Sequence, residues 1–255
     1  GTVTRAAVNY VKQRIVLAAN NAIYEFPITQ ASAPTAIYTH PATDYVYSSI
    51  SESGTAIYVS GYYGLKSSIF KFTLDTSGAM PTLTAPITAA EMPYGEIIHK
   101  IYTYLGYMMI GTNKGIRVAS IDNAGSITYG PLIETPGAVY DFTARDRFIW
   151  ATTGVTNEEG LTEAGLTRID LSVEIDNLHF AYAHDVHYDT SSAGAVTACS
   201  FMGDTDRIAF CTAATSSGNG QIFLEDASRL RTDGYVETGL IRYNTLEQKN
   251  FKRLV

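Results

Sequence analysis

The 255-residue chain holds two cysteines, one tryptophan and no uninterrupted apolar run of about 18 residues. The missing apolar run predicts no membrane-spanning helix. Two cysteines, Cys199 and Cys211, are too few for a disulfide scaffold or a four-ligand zinc site. They fall on two strands predicted to pair across a turn at 203–206, where Cys199 faces about Phe210. That register predicts two free, buried thiols. Basic residues are also scarce: 18 Lys and Arg against 25 Asp and Glu give a net charge of −7. Phosphate backbones need clustered cations, so nucleic acid is excluded as the main partner. Neither Gly-x-Ser-x-Gly nor His-Glu-x-x-His occurs, and no window sustains a helical period beyond two turns.

What remains is a globular composition, 45% hydrophobic and 17% charged, with 18 tyrosines. Its organising unit is seen best in Tyr107–Asp122. An apolar strand runs into Asn113-Lys114-Gly115, where Asn and Gly are expected to supply the positive φ of a hairpin turn, and an alternating strand follows. The apolar strand recurs. With Ile15, Ile57, Met108, Ile149 and Ile208 as equivalents, subtraction gives steps of 42, 51, 41 and 59 residues. Each copy is preceded by another strand (6–11, 44–50, 97–104, 139–144, 195–202) and followed by two more. The fourth strands fall at 35–39, 83–88, 126–129, 178–183 and 236–243.

Four short antiparallel strands at a period of 40 to 50 residues are the pattern of a β-propeller blade. A single such sheet cannot bury both its apolar faces, whereas blades packed around an axis bury each other's. The fold class expected is therefore all-β, a five-bladed propeller of four-stranded antiparallel blades, with a β-sandwich as the alternative. The expected boundaries are 1–243 for the propeller and 244–255 for a linker or the start of a next domain. The start at Gly1 and the stop at Val255 lead to the expectation of a piece of a longer protein.

Binding is expected on the irregular insertions 89–95, 155–164 and 184–194, since loops on a rigid scaffold carry recognition. The candidate binding residues are Tyr62, Tyr63, Tyr94, His184, Asp185, His187 and Tyr188, with the tyrosine rings suited to stacking on sugars. His184 and His187 lie on opposite faces of an extended chain and lack a third well-placed ligand, so no metal and no cofactor are expected. Asp122–Gly125 and Asp204–Asp206 read as turns, short of the ligands of a calcium loop. No catalytic residue is assigned. The alternative class is a glycoside hydrolase-type propeller acting on cell-wall polysaccharide. Its paired carboxylates would come from Asp44, Glu91, Glu96 and Asp141.

From the last predicted strand onward, Thr238-Gly-Leu-Ile-Arg-Tyr-Asn-Thr-Leu-Glu-Gln-Lys-Asn-Phe-Lys-Arg253 resembles a segment of minor tail proteins of tailed bacteriophages of actinobacteria. The shared run is Thr-Gly-x-Ile-Arg-Tyr-x-Thr-Leu-Glu-x-Lys-x-Phe-Lys, within a stretch of about twenty residues. In that family it follows a propeller-like region. The resemblance implies a non-enzymatic tail-tip or fibre protein in the virion, in an oligomeric state set by tail symmetry. The partners it implies are other phage tail proteins or a host cell-surface glycan. It brings no catalytic residues with it.

Overall fold

The computed structural model describes residues 4–9, 14–54, 56–73, 86–156, 162–189, 195–203, 206–213, 220–226 and 228, with the side chains of 4–9, 155–156, 162–164 and 185–189 left aside. The chain divides into a compact unit, Gly1–Glu225, and a second unit, Asp226–Val255. The expected fourth strand at 236–243 and the tail-protein-like run both lie outside the described residues.

Among the described residues there is no helix, and twenty strands form five antiparallel sheets. The first sheet is β1 (Thr4–Asn9), β2 (Arg14–Ala19), β3 (Ala22–Pro27) and β4 (Ala36–Thr39). The second is β5 (Val46–Ser53), β6 (Ala56–Tyr63), β7 (Lys66–Thr73) and β8 (Ile87–Glu91). The third holds β9 (Ile98–Tyr104), β10 (Tyr107–Thr112), β11 (Gly115–Ile121) and β12 (Ile127–Tyr129), and β13 (Ile133–Glu134) also pairs with β11. β14 (Phe142–Arg145), β15 (Phe148–Thr156), β16 (Thr162–Asp176) and β17 (His179–Asp189) make the fourth. The fifth contains β18 (Val196–Phe201), β19 (Ile208–Thr212) and β20 (Ile222–Leu224). Within each sheet the strands pair in chain order, except that β13 pairs with β11 beside β12.

Four apolar cores lie between sheets consecutive in the chain. Val16, Ile23 and Tyr38 meet Tyr47, Val59 and Phe72 between the first two. Tyr58 and Ile69 meet Ile101 and Met108 between the next two, and Met109 and Val118 meet Phe142 and Phe180 beyond that. Trp150 and Leu166 meet Val196 and Phe210 at the fourth junction. This arrangement explains the unbroken apolar strands. Ala56–Gly61 of β6 and Met108–Thr112 of β10 are buried throughout because each has a neighbouring sheet on both faces. In β2 and β19, which belong to the first and last sheets, burial alternates. No core among the described residues joins the fifth sheet to the first.

Hydrogen bonds add register between sheets. Ser51 Oγ and Thr103 Oγ1 lie 2.8 Å apart between β5 and β9, and the Tyr58 hydroxyl donates to the Gly125 carbonyl at 2.9 Å.

The hairpin at 113–115 differs from expectation in one respect. Positive φ is found at Gly115 alone (147°); Asn113 instead clamps the preceding loop. Its Oδ1 accepts from Ile97 N–H at 2.8 Å and its Nδ2 donates to the Gly95 carbonyl at 3.1 Å. Two insertions are also more regular than expected. Residues 89–91 extend β8, and 184–189 continue β17 in register with β16. Of 155–164, residues 155–156 and 162–164 are paired strand ends. Cys199 does face Phe210, and both cysteines are free, Cys199 buried and Cys211 half-buried.

Candidate functional site

Each sheet begins with the strand that precedes its apolar one, and four of these first strands converge on a cavity of about 500 Å³. Its lining comes from residues 46–50 of β5, His99 and Lys100 of β9, Tyr140 and Asp141 just ahead of β14, and Thr197 of β18, together with Tyr62 of β6. That volume lies within the range of small-molecule sites.

Three of the four strands reach the cavity in the same way. The pairing of β5 with β6 skips Ser48, that of β9 with β10 skips His99, and that of β18 with β19 skips Thr197. Each skipped residue is the extra one of a β-bulge, and each lines the cavity. A bulge bends its strand and re-aims one side chain out of the ladder. The fourth strand is positioned differently. Thr152 of β15 accepts at Oγ1 from Asp141 N–H at 2.9 Å, and Val139 N–H donates to the Thr112 carbonyl at 2.9 Å. The segment 139–141 is thereby held between the third and fourth sheets. Gly111 permits this approach, for a Cβ there would stand 2.8 Å from Val139 Cγ1.

The polar groups of the cavity are linked. Lys100 Nζ is 2.9 Å from Asp141 Oδ1, and Asp141 Oδ2 accepts from Cys199 N–H at 3.3 Å. One carboxylate thus joins three sheets. The His99 ring lies 4.9 Å from the Tyr140 ring, tilted by 35°. Burial lowers the His99 pKa from its ordinary value, which favours the neutral imidazole. Burial, and then the charge of Asp141, push the Cys199 thiol up, which favours the thiol over the thiolate.

The expected binding residues divide. Tyr62 lines the cavity. Tyr63 and Tyr94 are outside it, 48% and 71% exposed. Gly95 N–H donates to the Leu65 carbonyl at 2.9 Å, bringing the Tyr94 loop to the β6–β7 hairpin, at the end where Tyr62 pairs with Val46. His184 belongs to β17, and its Nδ1 is 2.9 Å from Thr167 Oγ1. A bulge at Asp185 sets His184 opposite Thr167 and His187 opposite Gly165. Those partners are two residues apart on β16, so this backbone register places both histidine positions on one face. The side chains of Asp185, His187 and Tyr188 lie outside the described residues. Among the described residues no three ligand-type side chains gather for a metal.

The four carboxylates considered for hydrolysis are dispersed. Glu96 is buried and takes a fork of hydrogen bonds from Arg117 at 2.7 and 2.8 Å. Asp44 and Glu91 are exposed and absent from the cavity lining, where Asp141 is the single carboxylate. Sequence reasoning singled out Asp141 and Tyr62 but missed Ser48, His99, Lys100, Tyr140 and Thr197. A signal existed: Ser48, His99 and Tyr140 each stand nine residues, by subtraction, before the equivalent residues Ile57, Met108 and Ile149.

The same architecture occurs in solved structures. A protein from Lactobacillus plantarum superposes with a TM-score of 0.60 at 11% identity, over 88% of this chain and 67% of that one. A protein from Agrobacterium tumefaciens assigned as TolB gives 0.55 at 14% identity, over 89% and 78%. The WD40 β-propeller domain of Doa1 gives 0.53 at 12% identity, over 82% of this chain. This chain is a β-propeller. It spans 61% of the Doa1 domain's length. At such identities the likeness extends to the fold alone. No family profile and no curated protein matches the chain.

Proposed function

We propose that this propeller is a non-enzymatic binding module of a phage tail that recognises a glycan on the host surface. The observation that carries the binding half is the cavity, to which three strands contribute a bulged residue each. The tail half rests on the Thr238–Arg253 run, which follows the propeller here as it does in the minor tail proteins it resembles. Glycosidases need two carboxylates flanking the scissile bond, one of them an acid. A lining with one carboxylate, already paired with a lysine, supports binding over hydrolysis.

The test is retention of the labelled chain on actinobacterial cells and on their purified cell-wall polysaccharide. Retention without release of reducing sugar is the expected result. Release of sugar would restore the hydrolase. Failure to bind either would leave tail-tip assembly with other tail proteins as the role, to be sought by co-purification.

A further inference from the structure

We infer that the cavity itself is the glycan subsite and takes one neutral sugar unit, its hydroxyls meeting Lys100, Asp141, His99 and Thr197 and a ring face meeting Tyr140 or Tyr62. This deepens the proposed function and rests on the chain being a binding module. The first argument is charge. The ammonium of Lys100 is matched by the carboxylate of Asp141 at 2.9 Å, so the pair presents no net charge to select an anion or a cation. Its hydrogen-bonding capacity is not used up. Among the described residues, Lys100 directs one of three N–H groups to Asp141, and the Asp141 carboxylate accepts from Lys100 and Cys199 alone. Closely spaced donors and acceptors without net charge match a polyol, whose hydroxyls both donate and accept.

The second argument is the mixture of surfaces. Sugars present C–H faces beside their hydroxyls, and aromatic rings take the former. Here the Tyr140 ring is partly exposed (37%) and lies beside His99. Tyr62, half-buried, reaches the cavity from the second sheet. The third argument is construction. A packed blade needs no bulge in its first strand, yet the three bulges of β5, β9 and β18 all place their extra residue at this cavity. Local departures from the ladder that coincide in space belong to a site.

The test is titration of the full chain with neutral monosaccharides (galactose, glucose, mannose, arabinose and N-acetylglucosamine), followed by amide chemical shifts and calorimetry. Wild type is compared with Asp141→Asn, Lys100→Met, Tyr140→Leu and the outside control Ile175→Ser, an exposed position of β16, each confirmed folded by its melting transition. The expected result is binding of at least one sugar. Each cavity variant should weaken it roughly tenfold or more, the loss of one charged hydrogen bond or one stacking ring, while Ile175→Ser is unaffected. If cavity variants lose affinity only because they unfold, Lys100→Gln retains a donor and serves as the milder probe. Sugar binding that survives every cavity variant overturns the subsite and leaves the binding module standing. So does cell retention without monosaccharide binding. Absence of both cell retention and sugar binding overturns the subsite together with the host-recognition reading.

Discussion

Lys100 Nζ stands 2.9 Å from Asp141 Oδ1, an ion pair that ties the first strand of the third sheet to the chain leading into the fourth. Its two side chains are 35% and 20% exposed, so water screens the attraction in part. A double-mutant cycle with Lys100→Met and Asp141→Asn should give a coupling of about 1 kcal/mol by denaturant unfolding. Coupling indistinguishable from zero would show that the two charges are held independently.

His99 makes stability depend on pH. Its folded pKa is lowered by burial from an unfolded value of 6.5. The folded state then binds fewer protons than the unfolded state over that window. Its contribution is fully present above the unfolded value and is lost as pH falls through the folded one. Wild type should therefore lose stability relative to His99→Gln as pH is lowered from about 8 to about 5. Parallel unfolding curves for the two proteins across that range would refute it.

Gly111 and Gly115 are required for different reasons. A Cβ at Gly111 would press on Val139 and Phe142, so Gly111→Ala should cost about 1–3 kcal/mol. At Gly115 the φ of 147° disfavours any L side chain, and a Cβ would also collide with the Ile133 carbonyl oxygen. Gly115→Ala should be the more damaging of the two in thermal unfolding. The reverse order would mean that strand β13 yields more readily than the inter-sheet core.

Buried Glu96 pairs with half-buried Arg117, which also donates to the Gly130 carbonyl at 2.8 Å. Arg117→Met leaves the carboxylate buried without its partner and should cost about 3–5 kcal/mol. Glu96→Gln keeps a hydrogen-bonding partner for the guanidinium and should cost less. Chemical denaturation of the two variants distinguishes them.

Tyr47 gives the opposite sign. Its hydroxyl is buried in the core between the first two sheets without a hydrogen-bond partner among the described residues. Tyr47→Phe removes that unsatisfied group and keeps the ring, so it should be neutral or stabilising by about 1 kcal/mol. A clear loss of stability would reveal a partner for the hydroxyl.

The repeat was legible because burial on two faces forces a strand to be apolar throughout, as at Met108–Ile110 and Ala56–Val59. The pairing of Cys199 with Phe210 was legible because a short turn fixes register. The bulges were not. Ser48, His99 and Thr197 share no residue type, and the nine-residue spacing that marks Ser48 and His99 does not hold at Thr197, which stands eleven residues, by subtraction, before Ile208. Polar sequence read as loop at 184–189 proved to be strand, because β15 and β16 extend together to Thr156 and Thr162 and β17 pairs along that extension. Asp141 was visible as a carboxylate near a strand start. Its lysine, 41 residues earlier by subtraction, was visible only in three dimensions.

The four cores are each shared by sheets consecutive in the chain, and every strand pairs with a sequence neighbour or lies close to one. A chain leaving the ribosome can therefore complete each of these four cores as soon as the following sheet has emerged.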